Sequence, residues 1–188
     1  MYYVIVPGID DSDAGHWQSI WQAAWGPAAS RIRVGSWSDP DLADWRQAVA
    51  RAVARAEGRP VVIIAHSLGC LAATSWAATD PAGAAERVRG LFLVAPPDPD
   101  ATSFPVTAAT FSVEPAPVPV PALVVASDDD PYATPAASGR LAHGWGASWL
   151  SVGRYGHLNS ASGLGEWVTG LRLLTAFQAG LRRPVEEP

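Results

Sequence analysis

Lysine is missing from this chain of 188 residues: all 13 basic side chains are arginine. Set against 18 acidic residues they leave a net charge of −5, with no basic patch, so nucleic-acid binding has little electrostatic support. The arginine-only usage and the abundance of alanine read as compositional bias and carry no functional weight. A single cysteine, Cys70, excludes intrachain disulfides and cysteine-based zinc fingers. No apolar stretch approaches the roughly 18–20 residues needed to cross a bilayer. The chain opens directly on Tyr2-Tyr3-Val4-Ile5-Val6, with no charged segment ahead of a long apolar run. A soluble, cytoplasmic protein without membrane partners is expected.

What is present points to a compact fold. Apolar residues make up 48% of the chain and charged ones 16%, enough for one substantial core over residues 1–181, with 182–188 expected as a flexible tail. Short β-branched runs predict strands at Tyr2–Val6, Arg31–Val34, Val61–Ala65, Val88–Val94, Leu123–Ala126 and Ser148–Val152. Several are apolar throughout, as in parallel strands covered on both faces. Between them, helical spacing predicts helices at His16–Trp25, Leu42–Glu57, Leu68–Thr79, Ala133–His143 and Glu166–Leu181. The alternation implies a three-layer α/β fold of about six mostly parallel strands flanked by helices. Eight of the 17 prolines fall in residues 96–121, a density that excludes a helix or a central strand there. That stretch reads as an irregular connection, too short for a separate lid domain.

The sharpest local signal is Val61-Val62-Ile63-Ile64-Ala65-His66-Ser67-Leu68-Gly69, an apolar strand, a tight turn and then an alanine-rich helix. It is the strand–turn–helix setting of the G-x-S-x-G nucleophile elbow, with Ala65 in place of the first glycine. Such a turn lifts the Ser67 hydroxyl above the sheet, with the Leu68 N–H as one oxyanion donor. The bland alternative is a serine that only caps a helix. A serine hydroxyl needs a general base at neutral pH. Only His143 and His157 follow Ser67, and His143 sits at a helix end where the dipole alone favours it. His157, in a loop after the last strand, is the expected base. His66 is expected to pack or support the turn, and His16 to cap a helix or wall the pocket. The acid should come from Asp128-Asp129-Asp130-Pro131, with Asp130 preferred and Asp128 and Asp129 as alternatives. No ligand set accompanies these carboxylates, so no metal is expected. The loop Pro7-Gly8-Ile9-Asp10 should supply the second oxyanion N–H, from Ile9 first and Asp10 second. It lacks G-x-G-x-x-G, so a dinucleotide cofactor is not expected.

Nine tryptophans are many for this length. Trp17, Trp21 and Trp25 recur every four residues on one helix face and read as packing, as do Trp145, Trp149 and Trp167. Trp17 is the one expected to reach substrate, and Gly8, Asp10 and Asn159 are the other candidates to line the substrate site. Cys70 reads as a small buried apolar residue.

Taken together, the chain resembles the small serine hydrolases of the retinoblastoma-binding protein 9 / YdeN-like family, within the α/β-hydrolase superfamily. The resemblance runs over roughly residues 3–178. It is carried by Val6-Pro7-Gly8 with Ser12 and His16-Trp17-Gln18, by Trp37 with Pro40 and Trp45, and by Ala65-His66-Ser67-Leu68-Gly69. Leu93-Val94-Ala95-Pro96, Ser127-Asp128-Asp129-Asp130-Pro131-Tyr132, Gly156-His157-Leu158-Asn159 and Ser162-Gly163-Leu164-Gly165-Glu166-Trp167 complete it. It implies a minimal hydrolase without a lid, a triad of Ser67, Asp130 and His157, no cofactor, and a small acyl substrate such as a carboxylic ester. Amide, aminoacyl or thioester cleavage by the same triad is the nearest rival, and a non-catalytic binding protein on this fold the next. The family name does not imply its partner here: Leu68-Gly69-Cys70-Leu71-Ala72 lacks the Glu of L-x-C-x-E, so binding to the retinoblastoma pocket is not expected.

Overall fold

The computed structural model describes residues 1–181; the expected flexible tail, 182–188, lies outside the described residues. Six strands form one sheet: β1 (Tyr2–Val6), β2 (Ala29–Arg31), β3 (Val61–His66), β4 (Val88–Val94), β5 (Ala122–Ala126) and β6 (Ser148–Ser151). Their order is β2-β1-β3-β4-β5-β6 and every neighbouring pair is parallel. Six α-helices are described: α1 (Trp17–Trp25), α2 (Leu42–Ala54), α3 (Leu68–Thr79), α4 (Pro81–Arg87), α5 (Pro135–Trp145) and α6 (Val168–Gly180). No described helix is long and apolar enough to cross a membrane.

The pleat of β3 divides the core in two. Val61, Ile63 and Ala65 point into the layer filled by α2, α3 and α5, and Val62 and Ile64 into the layer filled by α1 and α6. All five are fully buried, which is why the strand is apolar on both faces. Burying each valine or isoleucine contributes about 1.5–3 kcal/mol relative to exposure. On the second side, the α1 tryptophans stack as their spacing predicts, with ring centroids 4.6 Å apart for Trp17–Trp21 and 5.6 Å for Trp21–Trp25. Their indole N–H groups also reach across the chain. Trp17 Nε1 donates to the Leu158 carbonyl at 2.8 Å and Trp21 Nε1 to that of Glu166 at 2.7 Å. Helix α1 therefore fastens the loop that follows β6.

Four features differ from the sequence reading. The second strand is Ala29–Arg31 rather than Arg31–Val34, because those residues pair with Tyr3–Ile5. Ile32, whose alternation with Val34 suggested a strand, still donates to the Ile5 carbonyl at 3.0 Å but is the last to do so. Helix α4 was not anticipated. Asp80 caps it, accepting from Gly83 N at 3.1 Å, and Pro81 occupies a first-turn position where its missing N–H costs nothing. Within the proline-rich stretch, Val106–Phe111 makes a short 3₁₀ turn in the proline-free gap after Pro105. Its buried Phe111 sits edge-on to Trp45, with centroids 5.3 Å apart. Trp149, assigned to packing, is 40% exposed on the edge strand β6.

Candidate active site

Every strand runs the same way, so the turns after β1, β3, β5 and β6 gather at one edge of the sheet. Ser67 stands between β3 and α3 with φ 54° and ψ −129°, a left-handed conformation rare for a residue with a side chain. Its own N–H continues the ladder to the Val94 carbonyl at 2.9 Å. Its side chain makes no capping hydrogen bond to α3, so the helix-cap alternative does not describe it. The turn is possible because Gly69 has no Cβ: the carbonyl oxygens of Val6 and Pro7 occupy that space. Cys70 is buried behind the turn, and desolvation pushes its thiol pKa up.

The structure brings Ser67, His157 and Asp130 into one hydrogen-bonded chain. Ser67 Oγ donates to His157 Nε2 at 2.8 Å, and His157 Nδ1 donates to the Asp130 carboxylate, 2.9 Å from each oxygen. With Nδ1 protonated toward Asp130, Nε2 is left as the acceptor that faces the serine. Both side chains are nearly dry, with His157 8% and Asp130 2% exposed. The other aspartates are engaged elsewhere. Asp129 accepts from Gly156 N at 2.8 Å and from Ser127 Oγ at 3.0 Å, and the Gly156 amide, ahead of Ser127 and Arg154, lowers its pKa. Asp128 accepts from Ser151 Oγ at 2.5 Å. The three carboxylates thus divide into one facing His157 and two that pin the surrounding loops.

Around Ser67 lies a pocket of about 380 Å³ lined by Gly8, Ile9, Leu68, Pro97, Pro105 and Tyr132, with His16, His66 and Asn159 among the polar lining. The N–H groups of Ile9 and Leu68 donate to no acceptor among the described residues. Leu68 opens a 12-residue helix, so the positive end of its dipole is turned to the same place. Gly8 is close beneath: a Cβ there would fall 2.8 Å from that of Ser67. Asp10, the second candidate donor, gives its N–H to the Trp37 carbonyl at 3.0 Å and does not line the pocket. Trp17, expected to reach substrate, is 1% exposed and stands behind the His157 loop instead. Asn159 does line the pocket, but its side-chain oxygen accepts from Ala161 N at 3.1 Å as a helix cap.

Two histidines have roles that the sequence only hinted at. His66 is buried and donates Nε2–H to the His157 carbonyl at 2.9 Å; desolvation, then the neighbouring His157 and His16, hold its pKa well below the ordinary value. It is a neutral strut under His157. His16 caps α1, its Nδ1 accepting from Gln18 N at 3.1 Å. The signal for the second was its place just ahead of the first helical tryptophan.

Comparison with known proteins shows the family and the fold. A family model described as serine hydrolase matches residues 3–176. A protein described as a YdeN-like hydrolase, from Pectobacterium atrosepticum, shares 34% identity over 96% of this chain and 91% of its own, with a TM-score of 0.82. The ydeN gene product of B. subtilis is 20% identical over 95% of this chain and 100% of its own, at a TM-score of 0.74. The type II thioesterase BorB of the borrelidin biosynthetic cluster shares the fold at 16% identity, covering 96% of this chain and 92% of its own, with a TM-score of 0.65. No curated protein sequence matches the chain. With its elbow on β3 and a family match over nearly its whole length, the chain belongs to the YdeN-like serine hydrolases of the α/β-hydrolase superfamily.

Proposed function

We propose that this protein hydrolyses small carboxylic esters through a covalent acyl-enzyme, with Ser67 as nucleophile, His157 as base and Asp130 as the acid that orients it. The observation that carries the reading is the unbroken chain from Asp130 through His157 to Ser67 Oγ, opening on a pocket with two uncommitted backbone N–H groups. Ser67 Oγ attacks the carbonyl carbon while its proton passes to His157 Nε2. The Ile9 and Leu68 N–H groups hold the oxyanion, a contribution of about 3–4 kcal/mol per donor in comparable sites. The tetrahedral species collapses, the C–O bond to the alcohol breaks, and the alcohol leaves with the proton from His157. Water then attacks the acyl-enzyme, giving its proton to His157, and the acid departs as Ser67 recovers its hydrogen. These steps draw on no metal or organic cofactor.

The test is covalent labelling by a fluorophosphonate probe with intact-mass readout on wild type, Ser67→Ala and His157→Ala. A single adduct on wild type and none on either variant is expected. A folded wild type that takes no adduct would overturn the reading in favour of a binding protein. Rates on matched ester, thioester and amide substrates then separate the leaving groups, with the ester expected to be cleaved fastest.

A further inference from the structure

The pocket lining is of two kinds. Ile9, Leu68, Pro97, Pro105 and Tyr132 are mostly apolar; Asp11, Asp13, His16 and Ser160 are polar. Asp11 is already engaged, accepting from Arg31 Nη1 at 2.6 Å and from Ser12 N at 2.7 Å. His16 is not. It is 4% exposed, and because Nδ1 accepts from Gln18, the proton of the neutral ring sits on Nε2. Desolvation pushes its pKa down to about 4, so the ring is neutral near pH 7. That Nε2–H has no partner among the described residues; the Ser160 hydroxyl, also buried, is turned toward Asp13. A buried donor without a partner is costly, and in a residue that lines a pocket it favours a ligand group able to reach it. Beside them stands the Asp13 carboxylate, whose pKa is lowered first by Ser160 and then by the Gly15 amide.

We propose that Asp13, His16 and Ser160 form a hydroxyl-binding subsite for the leaving alcohol, so that the preferred substrates are monoesters of a polyol. A hydroxyl is the group that satisfies both sides of this corner. Its oxygen accepts from His16 Nε2–H and its proton goes to Asp13 or Ser160. An ammonium group offers His16 nothing to accept with, and an anionic group meets Asp13 where no arginine lines the pocket. The corner lies near His157, the proposed proton donor to the leaving group. The His16 ring is 4.8 Å from that of His66, which is 4.9 Å from that of His157, and Ser160 follows His157 on the same loop. The inference rests on the hydrolase reading, in which His157 gives its proton to the departing alcohol.

The experiment compares kcat/KM for 2-hydroxyethyl butyrate and propyl butyrate, which differ only by a hydroxyl in place of a methyl. Wild type is expected to favour the hydroxyl ester by about tenfold or more. The ratio should fall toward one in His16→Ser, which keeps a capping oxygen but loses the ring N–H, and in Ser160→Ala. Asp13→Asn, at an exposed position, keeps the test alive if the His16 variant does not fold. Equal rates on the two esters in wild type, or a preference unchanged in the folded variants, would overturn the subsite and leave the hydrolase reading intact. Labelling of Ser67 without turnover of either ester would do the same. Absence of both labelling and turnover would overturn the hydrolase reading, and the subsite with it.

Discussion

His66 Nε2 donates to the backbone carbonyl of His157 at 2.9 Å, so the residue just before Ser67 also carries the weight of the His157 loop. The two lie 91 positions apart in sequence, and this bond is a direct tie between the elbow and the His157 loop. Replacing His66 with Phe keeps the volume but leaves a buried carbonyl unpaired, at a cost of about 1–3 kcal/mol. Urea unfolding should register that loss, and kcat on a short ester should fall about tenfold as His157 shifts. Full activity in a folded His66→Phe protein would show that the strut does not position the base.

Gly8 and Gly69 flank the same serine but fail differently. A methyl at position 8 meets Ser67 Cβ at 2.8 Å and Oγ at 3.2 Å, so Gly8→Ala should cut kcat/KM about tenfold or more with a modest change in stability. A methyl at position 69 meets the backbone of Val6 and Pro7, which cannot yield as a side chain can. Gly69→Ala should lose about 3 kcal/mol of stability. Thermal melts paired with ester kinetics separate the two, and the opposite pattern would contradict this placement.

The three aspartates make a graded series. Asp130→Asn should lower kcat by about 10³–10⁴ with the fold intact, since the amide cannot hold the same His157 tautomer. Asp129→Ala frees the Gly156 amide and the Ser127 hydroxyl, and its effect should appear as a small loss of stability rather than of kcat. Asp128→Ala should leave kcat within about threefold, because its bond to Ser151 is partly exposed. Steady-state kinetics beside denaturation curves would expose any exchange of roles.

Acidification should destabilise the protein before the carboxylates titrate. His16 has an ordinary value of 6.5 lowered to about 4, and that of His66 is lowered as well. Between these values the unfolded chain binds protons that the folded one refuses, so stability is present above pH 6.5 and declines as pH falls. His16 alone accounts for about 3 kcal/mol over that window. Unfolding free energies measured from pH 7 to pH 4 should follow this slope, and a flat profile down to pH 4.5 would exclude neutral buried imidazoles.

Much of the site was legible because its residues sit where apolar strands stop. Val61–His66 and Val88–Val94 are buried on both faces, so their sequences carry strand signals that no solvent-facing pattern dilutes. Ser67 was readable from the end of β3, and His157 from its place in the loop after the last strand. The choice among Asp128, Asp129 and Asp130 was open at the level of composition, because it turns on which carboxylates other loops consume. The same limit applied to Asp10: its amide goes to Trp37, and neither partner advertises the pairing. Helix α4 was missed because proline and glycine within seven residues read as a loop, although Asp80-Pro81 is a good helix opening. Trp17 was misplaced for a reason of scale. A tryptophan near a catalytic loop can wall the pocket or buttress the loop, and only the path of its indole N–H to Leu158 decides.

The strand that leads to His157 is a short one at the edge of the sheet. β6 has four residues, sits at the margin and leaves Ser148 and Trp149 open to solvent, whereas β3 lies inside with every residue buried. Ser67 and His157 therefore belong to regions of unequal protection. A transient undocking of β6 that also parts the His66 and Trp17 bonds to residues 157 and 158 would withdraw His157 and leave Ser67 in place, inert, with the bulk of the sheet undisturbed. Reactivity at Ser67 is in that sense a gauge of one frayable margin rather than of the whole molecule, and heat should silence the serine, reversibly, below the temperature at which the helices melt.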